Sequence, residues 1–252
     1  MTGSRYQPDP RLAVASSPVV RSWTVVDFAL IWLGGLLGTT LFAALAVNTG
    51  DQDLLLLLGL AGQYIGNLGV LWVVARRKQN PDLGFNVETR DLGYIFLGLA
   101  LQVAMATILI PLSNLLFPDG RPPQDVAEVI AGADSLPLQL GLLLAAVVLA
   151  PITEELMFRE VLLRSLEPRG KRFAMVVSSL VFAAVHAVGL DDEMFWQSAL
   201  VVLPPIFILG LLLAWLTQRS GRLGPAIFLH SGWNLLAAFV LLLPEDILEQ
   251  VG

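Results

Sequence analysis

Seven stretches of this chain are apolar for long enough, or nearly so, to cross about 30 Å of hydrocarbon, which takes about 20 helical residues. They run from Trp23 to Val47, Leu54 to Ala75, Gly93 to Phe117, Leu138 to Met157, Phe173 to Val188, Phe195 to Leu216 and Leu223 to Leu243. Within a bilayer the backbone must satisfy its own hydrogen bonds, and a continuous apolar segment does so as a helix. The composition agrees: 56% of the residues are hydrophobic, 14% are charged and the mean hydropathy is +0.72, outside the range of soluble domains. The expected fold is all-α, a polytopic transmembrane bundle of about seven spans. The chain has no cysteine, which excludes disulfide frameworks, thiolate metal sites and cysteine nucleophiles.

The net charge of -6 says less than the sidedness of the charges. Of the 15 Lys and Arg, only Arg121 falls outside the N-terminal tail and the segments that follow spans two, four and six. The other connections carry Asp51, Asp53, Asp119, Asp125, Glu128, Asp134, Asp191, Asp192 and Glu193. By the positive-inside rule the N-terminus is cytoplasmic and the C-terminus is outside, in a multi-pass protein of the cell membrane. Residues 1–22 read as a polar cytoplasmic tail and 23–252 as one transmembrane domain, whose first span is too long to be a signal-peptide core. The Pro- and Gly-rich stretch from Pro118 to Ser135 reads as an outside loop with a helical turn near Val126 to Ile130. The basic loops are accounted for by topology and give no nucleic-acid-binding patch.

Against this background the stretch TEELMFRE, residues 153–160, is out of place, with three glutamates and an arginine beside apolar runs. On a helix Glu155 lies over Arg159, an i, i+4 spacing with the acid N-terminal to the base, which favours an ion pair. Glu154 points about 100° away and has no cation nearby in sequence. Pro151 removes a backbone donor one turn earlier and predicts a kink or exposed carbonyls. Such a carboxylate needs a partner, water or a proton. The alternative is that the span ends near Thr153 and the rest lies along the membrane surface as an amphipathic helix.

Both histidines of the chain also fall inside apolar spans, His186 at the end of FAAVH and His230 at the start of HSGWN. Ionisable groups within spans are costly and face a protein interior or a wet cavity. Asn234 shares a helix face with His230. Glu154, His186, His230 and Asn234 together supply the parts of a hydrolase: a carboxylate with an imidazole to take a proton from water, and neutral donors to stabilise the resulting oxyanion. A divalent metal such as zinc is the competing use of two histidines and a glutamate, although the H-E-x-x-H spacing is missing. The pair Pro204-Pro205 predicts a break in the sixth span.

The segments EELMFR (154–159), FAAVH (182–186) and HSGWN (230–234) resemble, in order and spacing, the E-E-x-x-x-R, F-x-x-x-H and H-x-x-x-N motifs of the CPBP intramembrane proteases. That family includes the type II CAAX prenyl endopeptidases and prokaryotic bacteriocin-processing and abortive-infection-like proteins. The resemblance covers about residues 138–243 and implies a protease core in the last four helices. It implies that Glu154 and His186 bind and activate a water, that His230 and Asn234 form an oxyanion hole, and that Glu155 and Arg159 support the site. It further implies a glutamate-dependent endopeptidase without a metal cofactor, with the bilayer and a peptide or membrane-protein substrate, lipidated or not, as partners. Two other readings of the same residues are a proton-coupled transporter and a catalytically idle immunity or scaffold protein of the same fold.

Straight-helix counting raises one difficulty. If the fourth span ends near Met157, Glu154 lies near the cytoplasmic surface while His186 lies some 20 Å above Arg172. A cytoplasmic extension of the fifth helix, or a deep funnel, would be needed to bring them together.

Overall fold

A computed structural model of the chain describes residues 22–79, 83–118, 135–190 and 193–241. The tail before Ser22, the expected turn at Val126 to Ile130 and the residues after Leu241 lie outside the described residues. The chain is a polytopic helical bundle with seven main helices: α1 (Val25–Ala46), α2 (Gln52–Lys78), α3 (Gly93–Leu116), α4 (Leu136–Arg169), α5 (Lys171–Gly189), α6 (Phe195–Ser220) and α7 (Gly224–Leu241). The first six are each long and apolar enough to cross a membrane.

Burial runs opposite to that of a soluble protein. Phe96, Leu115, Val188 and Trp196 are each more than 70% exposed, whereas Glu155, Arg159, Glu160 and His230 are buried. Apolar side chains face outward because their solvent is lipid, and charged groups are confined to the interior where partners exist. TEELMFRE is therefore not a surface helix: residues 155–163 are buried without exception and α4 continues to Arg169.

Small residues bring the helices together where apolar burial gives no net driving force. Gly34 and Gly38 of α1 face Gly62 and Gly66 of α2 so closely that a Cβ at Gly38 or Gly62 would overlap the other's carbonyl oxygen. No rotamer relieves an overlap with backbone. Gly62→Ala is therefore expected to destabilise the protein by at least about 1–3 kcal/mol, read as a lower midpoint of thermal unfolding in detergent. Gly69→Ala, whose Cβ would meet nothing within 4 Å, is the control and leaves the midpoint unchanged.

The helix starts and turns on one side of the bundle are tied by polar pairs. Thr24 and Asp27 form a capping box at the start of α1, and Asp27 pairs with Lys78 at 2.9 Å. Trp23 Nε1 donates to Glu160 Oε1 at 3.0 Å, and Arg164 pairs with Glu160 at 2.6 Å. Arg222, between α6 and α7, donates through two nitrogens to the two oxygens of Asp91, just before α3. These hydrogen bonds raise the Arg222 guanidinium above its already high ordinary value, so the pair is an ion pair throughout the working pH range.

The α4–α5 connection resolves the depth difficulty. Gly170, with φ +115°, turns the chain back between the two helices. Glu154 stands 15 residues before the end of α4 at Arg169, and His186 stands 15 residues after the start of α5 at Lys171. An antiparallel hairpin with arms of equal length puts them at the same level. The element that extends beyond the apolar run is α4, which continues as helix through Leu166 to Arg169, rather than α5.

The expected break at Pro204-Pro205 does not occur, and α6 is continuous from Phe195 to Ser220. Proline's fixed φ is helical, so the helix continues at the cost of two missing donors and of ring crowding against the carbonyls one turn back. Val201, Pro205, Leu209 and Leu213 form one buried face that holds the helix across them.

Candidate active site

The site begins with what Pro151 does to α4. The helix widens to an i→i−5 pattern over Ala145–Leu149, where the Ala150 N–H donates to the Ala145 carbonyl. In that register the Ala146 carbonyl would be served by residue 151, which is a proline and has no N–H. Asn234 Nδ2 supplies the missing bond from α7, donating to Ala146 O at 2.9 Å. The kink expected at Pro151 is thus a widened turn with an exposed carbonyl, and Asn234 occupies it with one of its two N–H groups.

A second widened segment, Glu155–Leu163, begins at the glutamate pair. The two carboxylates do not diverge to separate environments. Both face His230, one at each ring nitrogen: Nδ1 donates to Glu155 Oε1 at 3.0 Å, and Nε2 lies 3.8 Å from Glu154 Oε2. Glu155 is closed off from solvent and stands 3.2 Å from Arg159 Nε through its other oxygen, both side chains being 0% exposed. Glu154 is different. Its side chain is 28% exposed, yet Oε2 is buried and has no hydrogen-bond partner among the described residues. A buried carboxylate oxygen without a donor is costly, and its natural partner is a water or a substrate group.

Arg159 lies in the interior, not in a loop at the basic end of the bundle. Its guanidinium sits 4.5 Å from the centre of the Phe182 ring, with one nitrogen 3.5 Å from the Gly210 carbonyl. A guanidinium can stack on an aromatic face where an ammonium would keep its water.

His186 opens the tightened last turn of α5, with Nδ1 donating to the Phe182 carbonyl one turn back at 2.7 Å. That bond fixes the neutral tautomer and leaves Nε2 as a base or acceptor. The Phe182 ring packs edge-on against both histidines, with centroids 4.9 Å from His186 and 5.7 Å from His230. The Phe of FAAVH therefore has three tasks. Its carbonyl orients one imidazole, its edge contacts separate the two rings, and its face carries Arg159.

Glu154, Glu155, Arg159 and His230 form one directly contacting group, and Asn234 joins it through α7 and the Ala146 carbonyl. His186 joins through Phe182 and makes no hydrogen bond or ion pair with the glutamates among the described residues. Sequence reasoning missed the Glu155–His230 bond, because pairing Glu155 with Arg159 left its second oxygen out of account. It also left Glu160 without a role, although Trp23 and Arg164 hold it in the core.

Among the described residues no three His, Asp or Glu side chains are placed to hold one metal ion. His230 has a carboxylate at each nitrogen, and Glu155 is committed to Arg159 and His230.

Residues 136–236 match a family model described as type II CAAX prenyl endopeptidase Rce1-like. No curated protein and no solved structure gives a significant match to the chain. The matched stretch starts at the first residue of α4 and ends inside α7, so it contains the glutamate pair, both histidines and Asn234. The stretch of a polytopic helical chain that carries the glutamate pair, both histidines and Asn234 is thus similar to the Rce1-like type II CAAX prenyl endopeptidases.

Proposed function

We propose that the protein is a glutamate-dependent intramembrane endopeptidase that hydrolyses a peptide bond with a water activated by Glu154 and His186, without a metal. The observation that carries this reading is the unpartnered oxygen of Glu154, held inside the bundle beside an imidazole. Glu154 takes the proton as the water oxygen bonds to the carbonyl carbon. His230 and Asn234 donate to the oxygen that becomes negative, and the proton then passes to the departing nitrogen as the C–N bond breaks. Glu155 and Arg159 hold His230 by its Nδ1 side.

The depth of the site supports a membrane-tethered substrate. Counting about 1.5 Å per residue from Leu136, 30 Å of hydrocarbon ends close to residue 156. Glu154 then lies at the inner boundary, and the rest of α4 projects beyond it with Arg159 paired to Glu155 and Arg164 to Glu160. A peptide held at the membrane by a lipid group or its own span reaches this level without unfolding the bundle. The basic end faces the cytoplasm, the C-terminus faces outside, and the membrane is the cell membrane.

The test is cleavage of a mixed library of membrane-tethered peptides, with and without lipid groups, by the purified protein in liposomes, before and after treatment with a chelator. Cleavage of a defined bond, unchanged by chelation, is the expected result. Loss on chelation with recovery on adding zinc would overturn the metal-free mechanism. Cleavage of no library member would count against the endopeptidase reading.

A further inference from the structure

The proposed oxyanion hole is short of free donors. His230 has given Nδ1 to Glu155, and its other nitrogen faces the carboxylate of Glu154. Asn234 has given one N–H to Ala146. Each therefore has at most one hydrogen left, and that of His230 is contested. Oxyanion sites of acyl-transfer enzymes use two or more donors aimed at the same oxygen.

A further hydroxyl faces this place from outside the family-matched segment. Tyr64, midway along α2 and half-buried, points its Oη at the Ala145 carbonyl of the widened turn at 3.5 Å, next to the carbonyl that holds Asn234. Glu154 is near enough to interact electrostatically with the phenol. A 3.5 Å contact is at the outer limit of a hydrogen bond. Its hydrogen is therefore held weakly, and rotation about the C–O bond redirects it at little cost. A phenol is also protonated through the neutral range, so it donates without a change of charge.

We propose that Tyr64 is a catalytic donor to the developing oxyanion, sharing that oxygen with Asn234; this rests on the hydrolytic reading above. As the water oxygen bonds to the carbonyl carbon, the π pair moves onto the carbonyl oxygen and the Tyr64 O–H turns from Ala145 O to donate to it. The phenol keeps its proton throughout. When the carbonyl re-forms and the C–N bond breaks, the hydroxyl returns to Ala145. The bond to substrate exists only while the oxygen is negative, so it acts on kcat and not on ground-state binding.

Tyr64→Phe tests this with a peptide that the wild type cleaves, because it removes one oxygen and keeps the ring. The expected result is a fall in kcat of about 10²-fold with KM unchanged, and an equal fall in affinity for a peptidyl phosphonate that mimics the tetrahedral intermediate. A merely structural role would leave phosphonate affinity intact relative to that of an uncleaved peptide. Unchanged kcat, or a loss matched by KM with phosphonate affinity retained, overturns the proposal while leaving the protease reading in place. If Glu154→Gln also cleaves at the wild-type rate, the underlying mechanism fails and this proposal fails with it.

Discussion

Glu154→Gln is expected to abolish peptide cleavage, with kcat reduced about 10³-fold or more and the melting temperature unchanged. The amide has the shape of the carboxylate but cannot accept a proton from water. The structure separates activity from stability at this residue. Glu154 is the partly exposed member of the glutamate pair, its buried oxygen has no hydrogen-bond partner to lose among the described residues, and it faces His230 Nε2 only at 3.8 Å. Nothing in the fold leans on its charge as Arg159 and His230 lean on Glu155. Folding is checked by thermal unfolding in detergent and activity by product formation in liposomes. A stable Glu154→Gln variant that cleaves at the wild-type rate would sink the proposed mechanism.

The spans were legible because bilayer thickness writes them into the sequence as apolar runs, and all seven helix starts lie within two residues of the starts of those runs. The continuation of α4 was legible as well, since the residues through Val161 to Leu166 also read as helix; what hydropathy did not give is where the charges of TEELMFRE go, Arg159 on Phe182 and beside Glu155, Glu160 under Trp23 and Arg164. Hydropathy registers a charge and cannot register its partner. The same blindness covers Pro151. Its lost donor was predictable from the residue, but the widened turn and its repair by Asn234, 88 residues away, exist only in the fold.

Contact between Glu155 and Arg159 was legible from their spacing of four, whereas the third partner was not. Two imidazole nitrogens facing two consecutive glutamates require α7 to run beside α4 at one particular height. That height depends on Gly170 closing the α4–α5 hairpin and on α3 and α7 starting side by side. There Gly98 and Gly232 let backbones touch, and Arg222 with Asp91 ties the two starts together. Tyr64 was unreadable for a related reason. A tyrosine in an apolar run is unremarkable in sequence, and only packing of α2 against α4 turns it toward the widened turn.

Arg159→Met is expected to be the most destabilising single change in the core, costing about 3–5 kcal/mol. Its side chain and that of Glu155 are both 0% exposed, so removing the cation leaves a carboxylate in a dry interior with only the His230 Nδ1–H to compensate it. Arg159→Lys should lie between the two, because an ammonium keeps the charge but loses the planar stack on Phe182 and the reach to Gly210 O. Removing both charges, as Glu155→Leu with Arg159→Met, should recover much of the lost stability, since the penalty arises from the unpaired partner. Activity should not return with it. Without Glu155 nothing fixes the orientation of the His230 ring, so the double variant would be folded and slow. Unfolding midpoints for the wild type, the two single variants and the double variant measure the coupling directly. Additive losses would show that Glu155 and Arg159 stabilise the fold independently and would overturn their assignment as one buried pair.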